Sequence, residues 1–178
     1  SILLFTKIKY IVNLRPEKIS KKKLLILGNG PSLSSAINEI INIQKKNEFD
    51  FICVNEFAFV DYYKVLKPQH YVLIDPIYFK ETPNNERVNN IKNKLLTHLL
   101  KDTEWRIKLY IPRYYVNSSF IKTVENNKNI QVVSLNNVPL FGGFGLIKEM
   151  LFYYNLGNPV WQNVLIAAIF LGIQKNYK

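Results

Sequence analysis

Three short stretches place residues with ligand-binding chemistry directly after apolar runs. Gly28, Asn29 and Gly30 follow KLLIL, Asn55 and Glu56 follow FDFICV, and Asp75-Pro76 follows YVLI. Glycines let the backbone approach a ligand closely, and a helix N-terminus just beyond them favours a phosphate. Asparagine and aspartate at neighbouring strand ends supply donors and acceptors for a ribose or a base. Each stretch also has a plain local reading. Gly-Asn-Gly-Pro is a tight turn, Asn55 can cap the helix that follows, and Asp-Pro is an ordinary exit from a strand. Their shared position at three successive strand ends makes them a candidate site, because open parallel sheets bind ligands outside the carboxyl ends of their strands.

The common cofactor fingerprints do not fit. The glycine turn lacks the third glycine of G-x-G-x-x-G and the Gly-Lys-Ser/Thr of a P-loop, which disfavours a dinucleotide dehydrogenase or an NTPase. Metal ligation is poorly supported as well. His70 and His98 are isolated, Cys53 is the single cysteine, and no Asp-x-Asp pair could hold a divalent ion against a diphosphate. Phosphate chemistry in this chain is therefore expected to be metal-independent and to use no cofactor, with charge met by side chains and backbone amides. Cys53 lies in the apolar run FDFICVNEF and reads as a buried structural thiol. His70 starts a strand, at the end away from the candidate site, and reads as a solvated or hydrogen-bonded turn residue. His98 reads as an exposed position on a helix.

The elements that must position these residues alternate. Lys23–Leu27, Phe49–Val54 and residues 71–74 read as short buried strands. A helix capped by the Ser32-Leu33-Ser34-Ser35 stretch follows the first and ends at Lys45-Lys46-Asn47. A turn and short helix follow the second and stop before Pro68. NNERVNNIKNKLLTHLLKD is an amphipathic helix with Val88, Ile91, Leu95 and Leu99 on one face. RIKLYIP and IQVVSLN supply a fourth and fifth strand, separated by a polar, Asn-rich segment. PLFGGFGLIKEMLFYY is a candidate helix after three glycines, and PVWQNVLIAAIFLGIQ, apolar nearly all round, is expected to be a central buried helix. This rhythm predicts an α/β fold, a mostly parallel sheet with helices on both faces. Another strand is expected after the last helix, so residues 21–178 read as an incomplete α/β domain preceded by an extension or edge element at 1–20.

Composition narrows the partners. Among 178 residues, 24 Lys+Arg face 13 Asp+Glu, a net charge of +11. That excess favours an anionic partner such as nucleic acid, a membrane surface or a phosphorylated substrate. No nucleic-acid module signature is present, so a membrane surface or an anionic sugar nucleotide is preferred. The opening SILLFTKIKYIVNLRP is interrupted by Lys7 and Lys9 and is too short and charged to span a bilayer. A surface-lying helix or an edge strand are both open. The lack of disulfide chemistry and of a secretory signal points to the cytoplasm, with peripheral attachment to the inner membrane face as a further expectation.

LLILGNGPSL, FICVNEFAF and YVLIDPIYF together resemble the opening of bacterial CMP-sugar-dependent sialyltransferases of glycosyltransferase family 42. The apolar helix ending in NYK is similar to a family helix ending in Gly-Tyr-Lys. The resemblance implies a Rossmann-like fold (GT-A variant) and an inverting, metal-independent transfer from a CMP-activated sugar to a surface glycan acceptor. It implies that Gly28, Asn29, Gly30 and Ser32 hold the donor's phosphate and ribose, and that Asn55 contacts the cytidine nucleotide or the sugar. Asp75 stands where the family has asparagine, which puts a carboxylate beside an anionic donor. The family's Thr-Ser-Gly before the last helix is absent, and Gln162 and Asn163 occupy about that place with equivalent hydrogen-bonding groups. The family's catalytic histidine lies in a later portion, so no residue here inherits the role of general base. Gly-Asn-Gly-Pro-Ser-Leu also resembles motility accessory factors and pterin pyrophosphokinase-like proteins. For that alternative Asp75 and Glu56 are the only candidate metal carboxylates. A non-catalytic nucleotide-binding fragment is the third reading.

Overall fold

A computed structural model describes residues 22–28, 30–136, 138–140, 142, 145–154 and 156–177, without the side chains of residues 31 and 32. The expected extension at 1–20 lies outside the described residues. Five strands, β1 (Lys23–Leu27), β2 (Phe49–Val54), β3 (His70–Val72), β4 (Ile107–Pro112) and β5 (Ile130–Leu135), form one open sheet in sequential order. Every neighbouring pair is parallel. The architecture is α/β and Rossmann-like, as the alternation of apolar runs and amphipathic segments requires.

Side-chain alternation splits the sheet into two cores. Leu27, Phe51, Cys53, Tyr71, Leu73, Leu109 and Ile111 bury one face. Against it pack α1 (Pro31–Lys45), α2 (Tyr63–Leu66), α3 (Glu86–Lys101) and α4 (Ser119–Val124), through residues such as Ile40, Leu66, Leu95 and Phe120. Ile52, Val54, Val72 and Tyr110 face the other way and meet Val164, Ala167, Ala168 and Leu171 of α6 (Val164–Gln174). The nine-residue α5 (Gly145–Tyr153) precedes it.

Several local details differ from the sequence expectations. The first helix is capped by Gly30 with Pro31 in its first turn and no side-chain cap, so the serines that follow lie inside the helix. Proline suits that turn because its missing N–H would have no partner there. Asn47 ends the helix in the left-handed region (φ 54), a conformation asparagine adopts more readily than most residues. The Asn-rich segment before β5 contains α4, whose N-cap Ser118 accepts from the Ile121 amide. The last helix begins only at Val164 and is not buried all round. Leu165, Ile169 and Ile173, one i, i+4, i+8 stripe, are 44%, 51% and 68% exposed. Among the described residues no helix is long and apolar enough to cross a membrane.

Candidate functional site

The connections leaving β2, β3 and β4 all bend toward the α1–α4 face, whereas α6 starts on the opposite face. The gap between them is a cavity of about 570 Å³ outside the carboxyl ends of these strands. That volume falls within the ~300–1,000 Å³ typical of small-molecule sites. The strand order does not reverse among the described strands. The crevice therefore arises from divergence between the turns and α6, not from a switch in strand order.

Each wall is held by identifiable local chemistry. Asn55, the first residue after β2, sits in the left-handed region (φ 51). The buried Tyr71 hydroxyl donates to its carbonyl and accepts from the Ala58 amide at 3.1 Å. That clamp fixes the turn and leaves the Asn55 side-chain amide at the cavity without a hydrogen bond to any described residue. Burial pushes the Tyr71 phenol up, so it remains protonated and able to donate. After β3, Asp75 accepts from the Ile77 amide at 3.0 Å through Oδ1, capping a single 3-10 turn with Pro76 at its start. Pro112 and the exposed Tyr114 continue the wall after β4.

The facing wall is Asn158, Val160, Trp161, Gln162, Asn163 and Val164. Asn163 caps α6 by accepting from the Ile166 amide at 3.1 Å. The α6 N-terminus at the cavity offers positive dipole character to an anion. Asp75 carries the only carboxylate among the described lining residues, and no lysine or arginine is among them. The chain's positive charge is thus concentrated elsewhere.

Two buried polar atoms on this wall have no partner among the described residues, Asn158 Oδ1 and Trp161 Nε1. Asn158 is 2% exposed, and its Nδ2 donates to the Pro159 carbonyl at 2.8 Å. Its backbone pairs on both sides, accepting from the Leu140 amide and donating to the Val138 carbonyl. A buried acceptor and a buried donor left unpaired each cost ~1–3 kcal/mol, and both atoms lie just behind the accessible surface of this wall. Trp161 and Tyr114 add aromatic surface against which a base or sugar ring can lie.

Of the residues singled out in the sequence, the structure brings Asn55, Asp75, Gln162 and Asn163 together around this cavity. Gly28 follows the neighbouring strand β1 and Gly30 caps α1, and neither lines the cavity. A Cβ added at Gly28 would meet nothing within 4 Å, so packing does not demand glycine there. Asn29 and the Ser32 side chain lie outside the description. Asn158, Trp161 and Tyr114 were not among the sequence candidates. The only signal for the first two was their place in the mixed GNPVWQN stretch that leads into the last helix.

Neither histidine reaches the cavity. His70 is a buried strand residue, not a turn residue, with Nε2 2.8 Å from the Tyr177 hydroxyl and Nδ1 3.3 Å from the Tyr110 hydroxyl. His98 is half-buried, with Nδ1 2.7 Å from Asp102, and that contact holds the aspartate's carboxyl below its usual range. Glu56 accepts from the Tyr78 hydroxyl at 2.6 Å and does not line the cavity. Cys53 is fully buried, and burial pushes its thiol well above the ordinary range. Among the described residues no group of three metal-ligating side chains is present. Comparison with family models, curated proteins and solved structures finds no match.

Proposed function

We propose that this chain is a nucleotide-sugar-binding domain of a sialyltransferase-like glycosyltransferase, taking a CMP-activated sugar in the cavity outside β2–β4. One observation carries the reading. A buried acceptor, Asn158 Oδ1, and a buried donor, Trp161 Nε1, lack partners among the described residues in the wall of a cavity of ligand size. That cavity opens at strand ends whose motifs resemble the CMP-sugar family. In this reading Asn55, Asn158 and Gln162 supply the hydrogen bonds that select the nucleotide and sugar. Trp161 and Tyr114 supply apolar ring surface, and the α6 N-terminus receives the phosphate. Asp75 accepts from hydroxyl or amino groups and repels phosphate, which keeps the phosphate toward α6.

Transfer would be inverting. The acceptor hydroxyl loses its proton to a base and attacks the anomeric carbon, while the bond from that carbon to the CMP phosphate oxygen breaks. The described cavity residues supply binding and orientation and are not assigned the base. The pyrophosphokinase-like alternative needs paired acidic ligands at the nucleotide, and the engagement of Glu56 by Tyr78 leaves Asp75 without such a pair. Thermal shift against CMP, UDP and ATP with magnesium separates the readings. Stabilisation by CMP above the others is expected. Stabilisation by ATP with magnesium alone, or by none, would overturn the proposal.

A further inference from the structure

The sheet's opposite end carries a second cavity, of about 460 Å³, with a different character. It opens where β3, β4 and β5 begin and is lined by His70, Arg106, Lys108, Lys128, Asn129 and Gln131 among others. No carboxylate is among its described lining residues. The strand register explains how the charge collects. Ile52, His70, Lys108 and Gln131 are successive partners across β2–β5, so they share one face. α6 packs over β1–β3 on that face, through Ile52, Val54 and Val72. Toward β4 and β5 the row turns polar and meets the cavity. Arg106 and Lys128 arrive from the loops that precede β4 and β5.

Several lysines of the chain are matched by carboxylates. Lys22 pairs with Asp50 at 3.1 Å, Lys64 with Asp102 at 3.5 Å, and Lys92 with Glu81 at 3.6 Å. Arg106 and Lys128 make no ion pair or side-chain hydrogen bond among the described residues. Hydrogen bonds hold the frame around them. The Trp105 indole donates to the Pro68 carbonyl at 2.8 Å, the Lys108 amide to the Gln69 carbonyl at 3.0 Å, and Asn129 Nδ2 to the Thr103 carbonyl at 3.2 Å. The floor is fixed by the chain from His70 through the Tyr177 hydroxyl to Asp50, whose second oxygen is held by Lys22. Like charges confined to a concave wall raise its potential and concentrate counter-anions there. Guanidinium and ammonium groups together suit a phosphate, which accepts several charge-assisted hydrogen bonds at once.

We propose that this basic cavity is an anion site that takes a phosphate monoester or diphosphate group, remote from the nucleotide cavity and independent of it. The phosphate could be carried by a soluble metabolite or by a lipid headgroup, and the chemistry is shared. The test titrates the full chain with inorganic pyrophosphate, and separately with phosphatidylcholine vesicles with and without phosphatidic acid. It compares the wild type, the Arg106→Ser/Lys128→Ser variant, and a charge-matched Lys80→Ser/Lys122→Ser control. All four side chains are exposed, so folding is preserved, and a thermal melt checks it. Weakening of pyrophosphate binding by roughly tenfold or more in the cavity variant, with the control unchanged, is expected. Binding confined to phosphatidic acid vesicles and lost in the cavity variant alone supports the site with a lipid source. Equal weakening in both variants, or no binding of either probe by the wild type, overturns it.

Discussion

At the residue scale the informative feature is Asn158, a side chain buried with one polar atom unmatched among the described residues. An apolar residue there would remove a desolvation cost as well as a hydrogen bond, and in the proposed reading a ligand supplies the missing partner. Asn158→Ala is expected to change the melting temperature by little, because losing the Nδ2 bond is offset by removing the unpaired Oδ1. It should weaken CMP binding by roughly tenfold or more, measured by titration calorimetry. Asp75 makes the opposite prediction. Asparagine at this position keeps an acceptor for the Ile77 amide, so Asp75→Asn should fold normally. It removes the cavity's carboxylate and should tighten CMP about two- to fivefold at low salt, with the gain fading as salt rises. A tenfold loss instead would mean that the carboxylate binds the ligand directly.

At the element scale, α6 is a core helix whose first residue meets the cavity, and its faces should respond differently to substitution. Ala168 is fully buried against the sheet, and Ile169 beside it is half exposed. Ala168→Leu should destabilise by about 1–3 kcal/mol through overpacking, and Ile169→Gln by less than about 0.5 kcal/mol, both read by urea denaturation. The near-uniform apolarity of the helix hid this asymmetry, since periodicity cannot separate a face buried on the sheet from one that is simply apolar. The strands were legible because short apolar runs bounded by glycine, proline and charge have few other outcomes. Parallel pairing followed from the helices between them. Helix α4 was not legible, because a six-residue helix carries too little periodic signal. Half of the proposed site followed from one rule, that strand ends converge, which brought Asn55 and Asp75 together. Asn158 and Trp161 enter from a loop far along the chain, and their meeting depends on where α6 lands.

At the scale of the whole molecule, charge and ionisation are distributed unevenly. The cavity outside β2–β4 has no lysine or arginine among its described lining residues, while the opposite end holds a basic pocket with no carboxylate among its described lining residues. Buried titratable groups set the pH response. Burial raises Cys53 above its ordinary value of 9.0, and Tyr63 and Tyr71 above 10.0. Tyr78 is likewise raised above 10.0, first by burial and then by its bond to Glu56. Each raised group favours folding below its unfolded value. As pH rises past about 9, the unfolded chain releases protons that the folded chain retains, so stability falls. Urea midpoints should therefore decline steadily between about pH 9 and pH 11, and a flat profile would contradict the burial of these groups. Function is tested most directly by a crystal structure of the chain grown with CMP. The account predicts the nucleotide between Asn55 and Trp161, accepting from Trp161 Nε1 and donating to Asn158 Oδ1, with its phosphate toward the start of α6. CMP absent from that cavity, or bound only in the basic pocket at the other end of the sheet, would contradict it.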